Sequence, residues 1–291
     1  VEVLDAFLGG SAATTASQDE SALAQCGPTG PQSVLTVLVN LPGYKLPAAV
    51  TADFMRGVLL GNSATSATSN PDWSVDGFWQ EASDGRTWVD SGSTVIGPIA
   101  LTSNFNTNAS GASSCDTYGM RDAVIAAIDG QVDFRNYSRI LIVTPGNGAC
   151  TWAGTANVGC RAMSSNGDGE FNASVAWQRA ESMATRTAAV QLTTHELGHN
   201  LTLSHAGSRD FGTEALGAIG ATGTLSEYGD PFSTMGSWNF GFYAASQAAN
   251  QLQWLGAGSN YTVVETSGTY TIQGYETRPA GVKALKVRRG T

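Results

Sequence analysis

The segment "HELGHNLTLSH", residues 195–205, holds all three histidines of the 291-residue chain and sets Glu196 beside the first of them. On an α-helix, residues four apart differ by about 40° in angle and about 6 Å along the axis, so His195 and His199 project from one face. Two imidazoles so placed can ligate one Zn²⁺, and Glu196 can reach a water on the open side of the ion. His205 lies six residues past His199, about 9 Å further and some 240° around if the helix continued. A straight helix would therefore keep it away from the metal. The chain must leave the helix after Asn200 or Leu201 and fold back, so that His205 completes a three-histidine site with the fourth position open. An open site is of the catalytic kind, whereas structural zinc sites are closed.

Outward from this segment, a helix is expected over about residues 182–201. "SVLTVLVNL" (33–41), "TVIGPIAL" (94–101) and "RILIVTP" (139–145) read as strands, the last as the clearest buried one, and "ASVAWQ" (173–178) as an edge strand. Helical spacing marks residues 46–62, the first part of 75–90 and about 116–129, where Gly130 stops the helix; "AASQAANQLQWLG" (244–256) reads as a closing helix. This order of strands and helices predicts an α/β fold with a mixed twisted sheet. The expected divisions are an N-terminal strap (1–32), an N-terminal subdomain (33–201), an irregular, glycine-rich C-terminal subdomain (202–258) and a short β-rich tail (259–291), the start of a module cut short.

The formal charge of −9, with 24 acidic against 15 basic residues, argues against nucleic acid or an anionic membrane as partner. No apolar run is long enough to span a bilayer. The first residues carry no basic and apolar leader pattern, which fits a leader or propeptide already removed. Cys26, Cys115, Cys150 and Cys160 form no CxxC pair, so two disulfides are expected, with buried free thiols the alternative. Of the three connectivities, Cys150 with Cys160 and Cys26 with Cys115 is favoured, the first closing a short loop. An oxidising, extracellular location follows. Sequons stand at Asn108, Asn136, Asn172, Asn200 and Asn260, of which Asn200 should stay bare inside the histidine cluster. The turn "SSNGDGEFN" (164–172), with Asp168, could be considered for calcium, but it lacks the carboxylate ladder of an EF-hand and reads as a solvated turn.

Together, "HELGHNLTLSH" and "EYGDPFSTMGSW" (227–238) resemble the extended zinc signature and the Met-turn of the metzincin proteases. With "CTWAGTANVG" (150–159), the chain resembles above all the gametolysin family of extracellular proteases, over roughly residues 26–258. The resemblance implies a secreted zinc endopeptidase acting on polypeptides or glycoproteins; the chain is expected to be a monomer. His195, His199 and His205 would be its ligands, Glu196 its general base and Met235 an apolar floor beneath the metal. It also implies that Trp238, Phe240, Phe242 and Tyr243 wall a substrate pocket, with local core as the alternative of equal weight. Two positions depart from the pattern. Thr202 replaces the glycine at which the chain turns out of the helix, so either Thr202 takes a costly positive φ or Leu203 and Ser204 make the turn, with Asp210 the substitute ligand should the turn fail. Ser237 replaces a tyrosine that touches the metal in some metzincins, leaving Tyr228 or Tyr243 to assist only if folding brings them near. Beside the enzyme stand two other readings: a binding module that kept the fold, and a latent form in which the Cys26 thiolate plugs the zinc.

Overall fold

The computed structural model describes residues 26–61, 74–108, 110–237, 241–256, 258–275 and 281–288. Trp238, Phe240 and most of the expected strap, residues 1–25, lie outside them. The chain runs β1 (Gly30–Gln32), β2 (Val34–Asn40), α1 (Ala52–Leu60), α2 (Val75–Ala82), β3 (Thr87–Val89), β4 (Thr94–Ala100) and α3 (Thr117–Ile128). It continues through a 3₁₀ turn (Phe134–Asn136), β5 (Arg139–Thr144), β6 (Gly154–Ala156), β7 (Arg161–Ser165), β8 (Gly169–Arg179) and a 3₁₀ turn (Ala180–Met183) to α4 (Arg186–Asn200). Last come β9 (Ser208–Asp210), β10 (Thr224–Ser226), α5 (Ala245–Asn250), β11 (Tyr261–Val264) and β12 (Ala284–Val287).

The main sheet has the order β4-β2-β5-β8-β6, with β7 also on β8. The first four strands are parallel, while β6 and β7 run antiparallel to β8. The mixed sheet follows from composition. Along β2 and β5, Val34, Leu38, Leu141 and Val143 enter one core, and Leu35, Val37, Val39, Ile140 and Ile142 enter the other. Near-continuous aliphatic runs are what a strand covered on both faces requires. Residues of α1, α2, α4 and α5 fill the first core; α3 supplies Met120, Val124, Ile125 and Ile128 to the second.

Helix starts agree with their capping residues, since the side chains of Thr51, Ser74, Asp116 and Thr185 each accept a backbone N–H of the first turn. Two elements are shorter than expected: the helix carrying His195 and His199 begins at Arg186, after the separate 3₁₀ turn, and the closing helix keeps only Ala245–Asn250. The expected edge strand is a correction. β8 is interior, between β5 and the β6/β7 pair, and its small residues Ala173, Ser174 and Ala176 are buried, not lining an open edge.

The cysteine pairing is the second correction. The disulfides join Cys26 to Cys160 and Cys115 to Cys150, and no described cysteine is free. Cys150 cannot reach Cys160 because the chain between them lies along β8. Ala153 O accepts from Arg179 N at 2.9 Å, whereas Arg161 faces Ala173. At about 3.4 Å per residue those points on β8 are roughly 20 Å apart, far beyond disulfide reach. With its sulfur bound to Cys160, Cys26 is not the thiolate plug of the latent reading.

Candidate metal centre and active site

Helix α4 lies across the first face of the sheet and packs on β8 and β6. Its last turns carry the cluster. The nitrogen atoms offered by His195, His199 and His205 lie within 4.8 Å of one another, with Nε2 of His199 and His205 3.1 Å apart. The return of His205 is made by the first of the two expected routes: Thr202 has φ 80°. Around it, Thr202 N donates to His199 O at 2.9 Å and Leu203 N to Gly198 O at 3.1 Å. These two bonds are the Schellman pair that ends a helix through one left-handed residue, usually glycine. Thr202 is solvent-exposed, so its side chain meets little resistance there beyond its own backbone strain. Because the turn forms, Asp210 is not needed as a ligand; its carboxylate accepts from Gly212 N at 2.8 Å.

Each ring is oriented through Nδ1. His195 Nδ1 lies 2.7 Å from Thr234 O, His199 Nδ1 2.7 Å from Leu203 O, and His205 Nδ1 2.7 Å from Glu227 Oε1. Carbonyl and carboxylate oxygens only accept, so each Nδ1 carries the hydrogen and each Nε2 keeps a lone pair for the common centre. Burial, joined by the neighbouring histidines, holds His195 down to about 4, and burial also lowers His199. Neutral imidazoles are the form that binds a metal. The donor set therefore fits a Zn²⁺ ion, and three nitrogen ligands leave one tetrahedral position open.

Glu196 sits on the same helix, 3% exposed, and burial alone pushes its carboxyl up to about 8. Its Oε2 is sealed from solvent without a hydrogen-bond partner. Room for the carboxylate comes from Gly154 on β6, where a Cβ would meet Oε1 and lie 2.6 Å from Cδ. Gly198 plays the same part on the other side of the helix: a Cβ there would lie 2.5 Å from Met235 Sδ and 3.2 Å from the Tyr243 ring. Met235 is fully buried, and its carbonyl accepts from Ala206 N at 2.8 Å, tying the loop beneath the histidines to the segment that returns His205.

The aromatic run divides. Tyr243 belongs to the core: it is 2% exposed, donates to Thr194 O at 2.7 Å and accepts from Trp79 Nε1 at 3.1 Å, so it walls no open pocket. Phe242 packs edge-on against Phe78 and beside Tyr275. Folding brings Tyr228, not Tyr243, to the histidines, with its ring centroid 3.9 Å from that of His205. The sequence reading missed Glu227 and Gly154. Glu227 lay inside the quoted "EYGDP" but no spacing rule linked it to His205, and Gly154 meets Glu196 only through the sheet. Asp168, considered for calcium, instead caps the 3₁₀ turn, accepting from Phe134 N at 2.8 Å. Asn200 is fully buried and donates to Asn157 O at 2.9 Å, which leaves its sequon no room for a glycan.

A mixed α/β sheet crossed by a helix that offers three converging imidazoles and a buried carboxyl defines a domain able to hold a catalytic metal. The gametolysin peptidase M11 family model matches residues 33–251, and the chain belongs to that family of metallopeptidases. No curated protein matches the chain.

Proposed function

We propose that the chain is a secreted zinc endopeptidase of metzincin type that cleaves extracellular polypeptides or glycoproteins. The observation that carries the reading is the convergence of three Nδ1-anchored histidines beside a buried, unpartnered glutamate. His195, His199 and His205 would hold the ion, with Met235 as the apolar floor. Once bound, Zn²⁺ supplies a Lewis acid for the scissile carbonyl and lowers the pKa of water. Glu196 accepts a proton from the attacking water and passes it to the leaving amine, a task suited to a carboxyl with a pKa near neutrality.

Substrate orientation follows from β6. This strand is the end of the sheet order, antiparallel to β8, and its Gly154 touches the Glu196 carboxylate. No described strand pairs with its outer side, so an extended peptide can add there by backbone hydrogen bonds and bring its carbonyl to the catalytic group. Tyr228, against His205, borders the same space. Two disulfides support an oxidising compartment, and no helix among the described residues is long and apolar enough to cross a membrane. The division at the end of α4 into N- and C-terminal subdomains belongs to the same proposal.

Metal analysis together with a peptidase assay on a general protein substrate tests the reading. One zinc per chain is expected, with activity abolished by a chelator and restored by zinc. Glu196→Ala should keep the zinc and lose about 10²- to 10⁴-fold in kcat. A chain that binds no zinc, or a Glu196→Ala variant as active as the native chain, overturns it.

A further inference from the structure

Behind Glu196 lies a second buried group that the reading above leaves without a task. Gln178, on β8, is fully buried, and its Nε2 has no hydrogen-bond partner. Its Oε1 accepts from the Thr193 hydroxyl at 3.1 Å, an arrangement that leaves Nε2 as the free donor. An amide N–H buried without a partner is costly, so a partner is expected within its reach.

The sheet register says which partner. Gln178 faces Gly154 directly across the antiparallel β6/β8 pair. Residues directly opposite each other in such a pair project to the same face, about 5 Å apart. The direction in which a Gly154 Cβ would point is occupied by the Glu196 carboxylate. The Gln178 side chain rises on that same face, as its bond to Thr193 requires, and Thr193 is one helical turn before Glu196 on the face of α4 turned to the sheet. Gln178 and the carboxylate are thus neighbours in one buried space. One brings an unpartnered donor, and the other an unpartnered acceptor, Glu196 Oε2.

We propose that Gln178 is a positioning residue for the catalytic carboxylate, its Nε2 serving Glu196 Oε2 through one buried water. The proposal rests on the peptidase reading of the same site and adds a residue to it. Held at Oε2, the carboxyl plane cannot rotate about the end of its side chain, and Oε1 stays over Gly154 on the β6 side, where the peptide would lie. Thr193 completes the chain by setting the orientation of the amide. The link runs from α4 through β8 and back to α4, so the base is aimed by the sheet as well as by its own helix.

The test compares the native zinc-loaded enzyme with Gln178→Met, Gln178→Glu and Thr193→Val. Gln178→Met keeps the shape and removes the donor. Gln178→Glu keeps an oxygen for Thr193 but replaces the N–H with a second oxygen. Both should lower kcat on the order of tenfold to a hundredfold, the scale set by misplacing a catalytic group by an ångström, while KM stays within about twofold and zinc remains one per chain. Thr193→Val should lower kcat in the same sense but less. A merely structural residue would move KM, metal content and kcat together, or would tolerate Gln178→Met unharmed; either result overturns the proposal. A high-resolution structure of the native zinc-loaded chain gives a second readout that needs neither activity nor a folded variant. Density for one water joining Nε2 to Oε2 supports the link, and its absence overturns it. If Glu196→Ala is inactive while Gln178→Met is not, the positioning role falls and the peptidase reading stands; if the native chain has no peptidase activity, the reading falls and the density decides the contact.

Discussion

The three histidines are held in different ways. Thr234 and Leu203 hold theirs with backbone carbonyls, fixed by the fold, whereas His205 leans on the side chain of Glu227, which is 68% exposed. His205 also follows the helix end, so its ring has fewer constraints than the two on α4. Its orientation therefore depends on a single replaceable carboxylate and on the ring of Tyr228. Glu227→Ala should weaken zinc binding about 10- to 100-fold, the range for losing the partner of a ligating imidazole, as read by competition with a chelator of known affinity, and leave the secondary structure by circular dichroism intact. Affinity equal to that of the native chain would show that Glu227 does not orient His205. At this scale the sequence was informative where helical spacing is the rule. His195, Glu196 and His199 lie within five consecutive positions of one helix and can be read directly; Glu227, Gly154 and Gln178 reach the site through loops and sheet register, for which local sequence carries no period.

At the scale of the element, the end of α4 decides whether the third histidine arrives. The Schellman turn places Thr202 at φ 80°, a conformation natural to glycine and strained for a β-branched residue. The strain is offset by what surrounds it. Gly159 N donates to His199 O at 3.0 Å, and the Arg139 guanidinium, fully buried on β5, donates to Asn200 O at 2.8 Å. A cation at a helix C-terminus is well placed for the dipole, and this one is held besides by Gln32, Ser174 and the carbonyls of Cys26 and Gly27. Thr202→Gly should therefore raise stability by about 1 kcal/mol, seen as a higher urea midpoint with unchanged slope, and leave activity within about twofold. A loss of stability would mean that the threonine side chain contributes more than its backbone strain costs. The element boundaries show where reading by pattern stops. β2 and β5 were legible as aliphatic runs, and capping residues marked the helix starts. β8 reads as an edge because alanine and serine look indifferent to burial, yet it is interior, and small side chains are what close packing against α4 allows.

For the whole molecule, the site's buried titratable groups act on stability in opposite senses, His195 and His199 one way and Glu196 the other. His195 is held down to about 4 from an ordinary value of 6.5, so it is neutral in the folded metal-free chain but protonated in the unfolded chain below pH 6.5. Its contribution makes stability rise with pH between about 4 and 6.5. Glu196 is raised from 4.5 to about 8, so the folded chain keeps a proton that the unfolded chain has lost, and stability falls as pH rises from about 4.5 towards 8. Below pH 6.5 the histidines oppose Glu196; from 6.5 to 8 Glu196 acts without them. Over that upper window the metal-free chain should lose about 2 kcal/mol, at 1.36 kcal/mol per unit, because unfolding releases a carboxyl that burial had kept neutral. Metal-free Glu196→Gln should be flat over the same window, having no proton to lose. Urea unfolding of both proteins at closely spaced pH values measures the difference, with the two disulfides intact so that the unfolded reference is the same. Parallel curves from pH 6.5 to 8 would show that Glu196 is already ionised in the folded chain. The β6 contact and the sealing of Oε2 would then not create the dry environment that a base tuned to neutral pH requires.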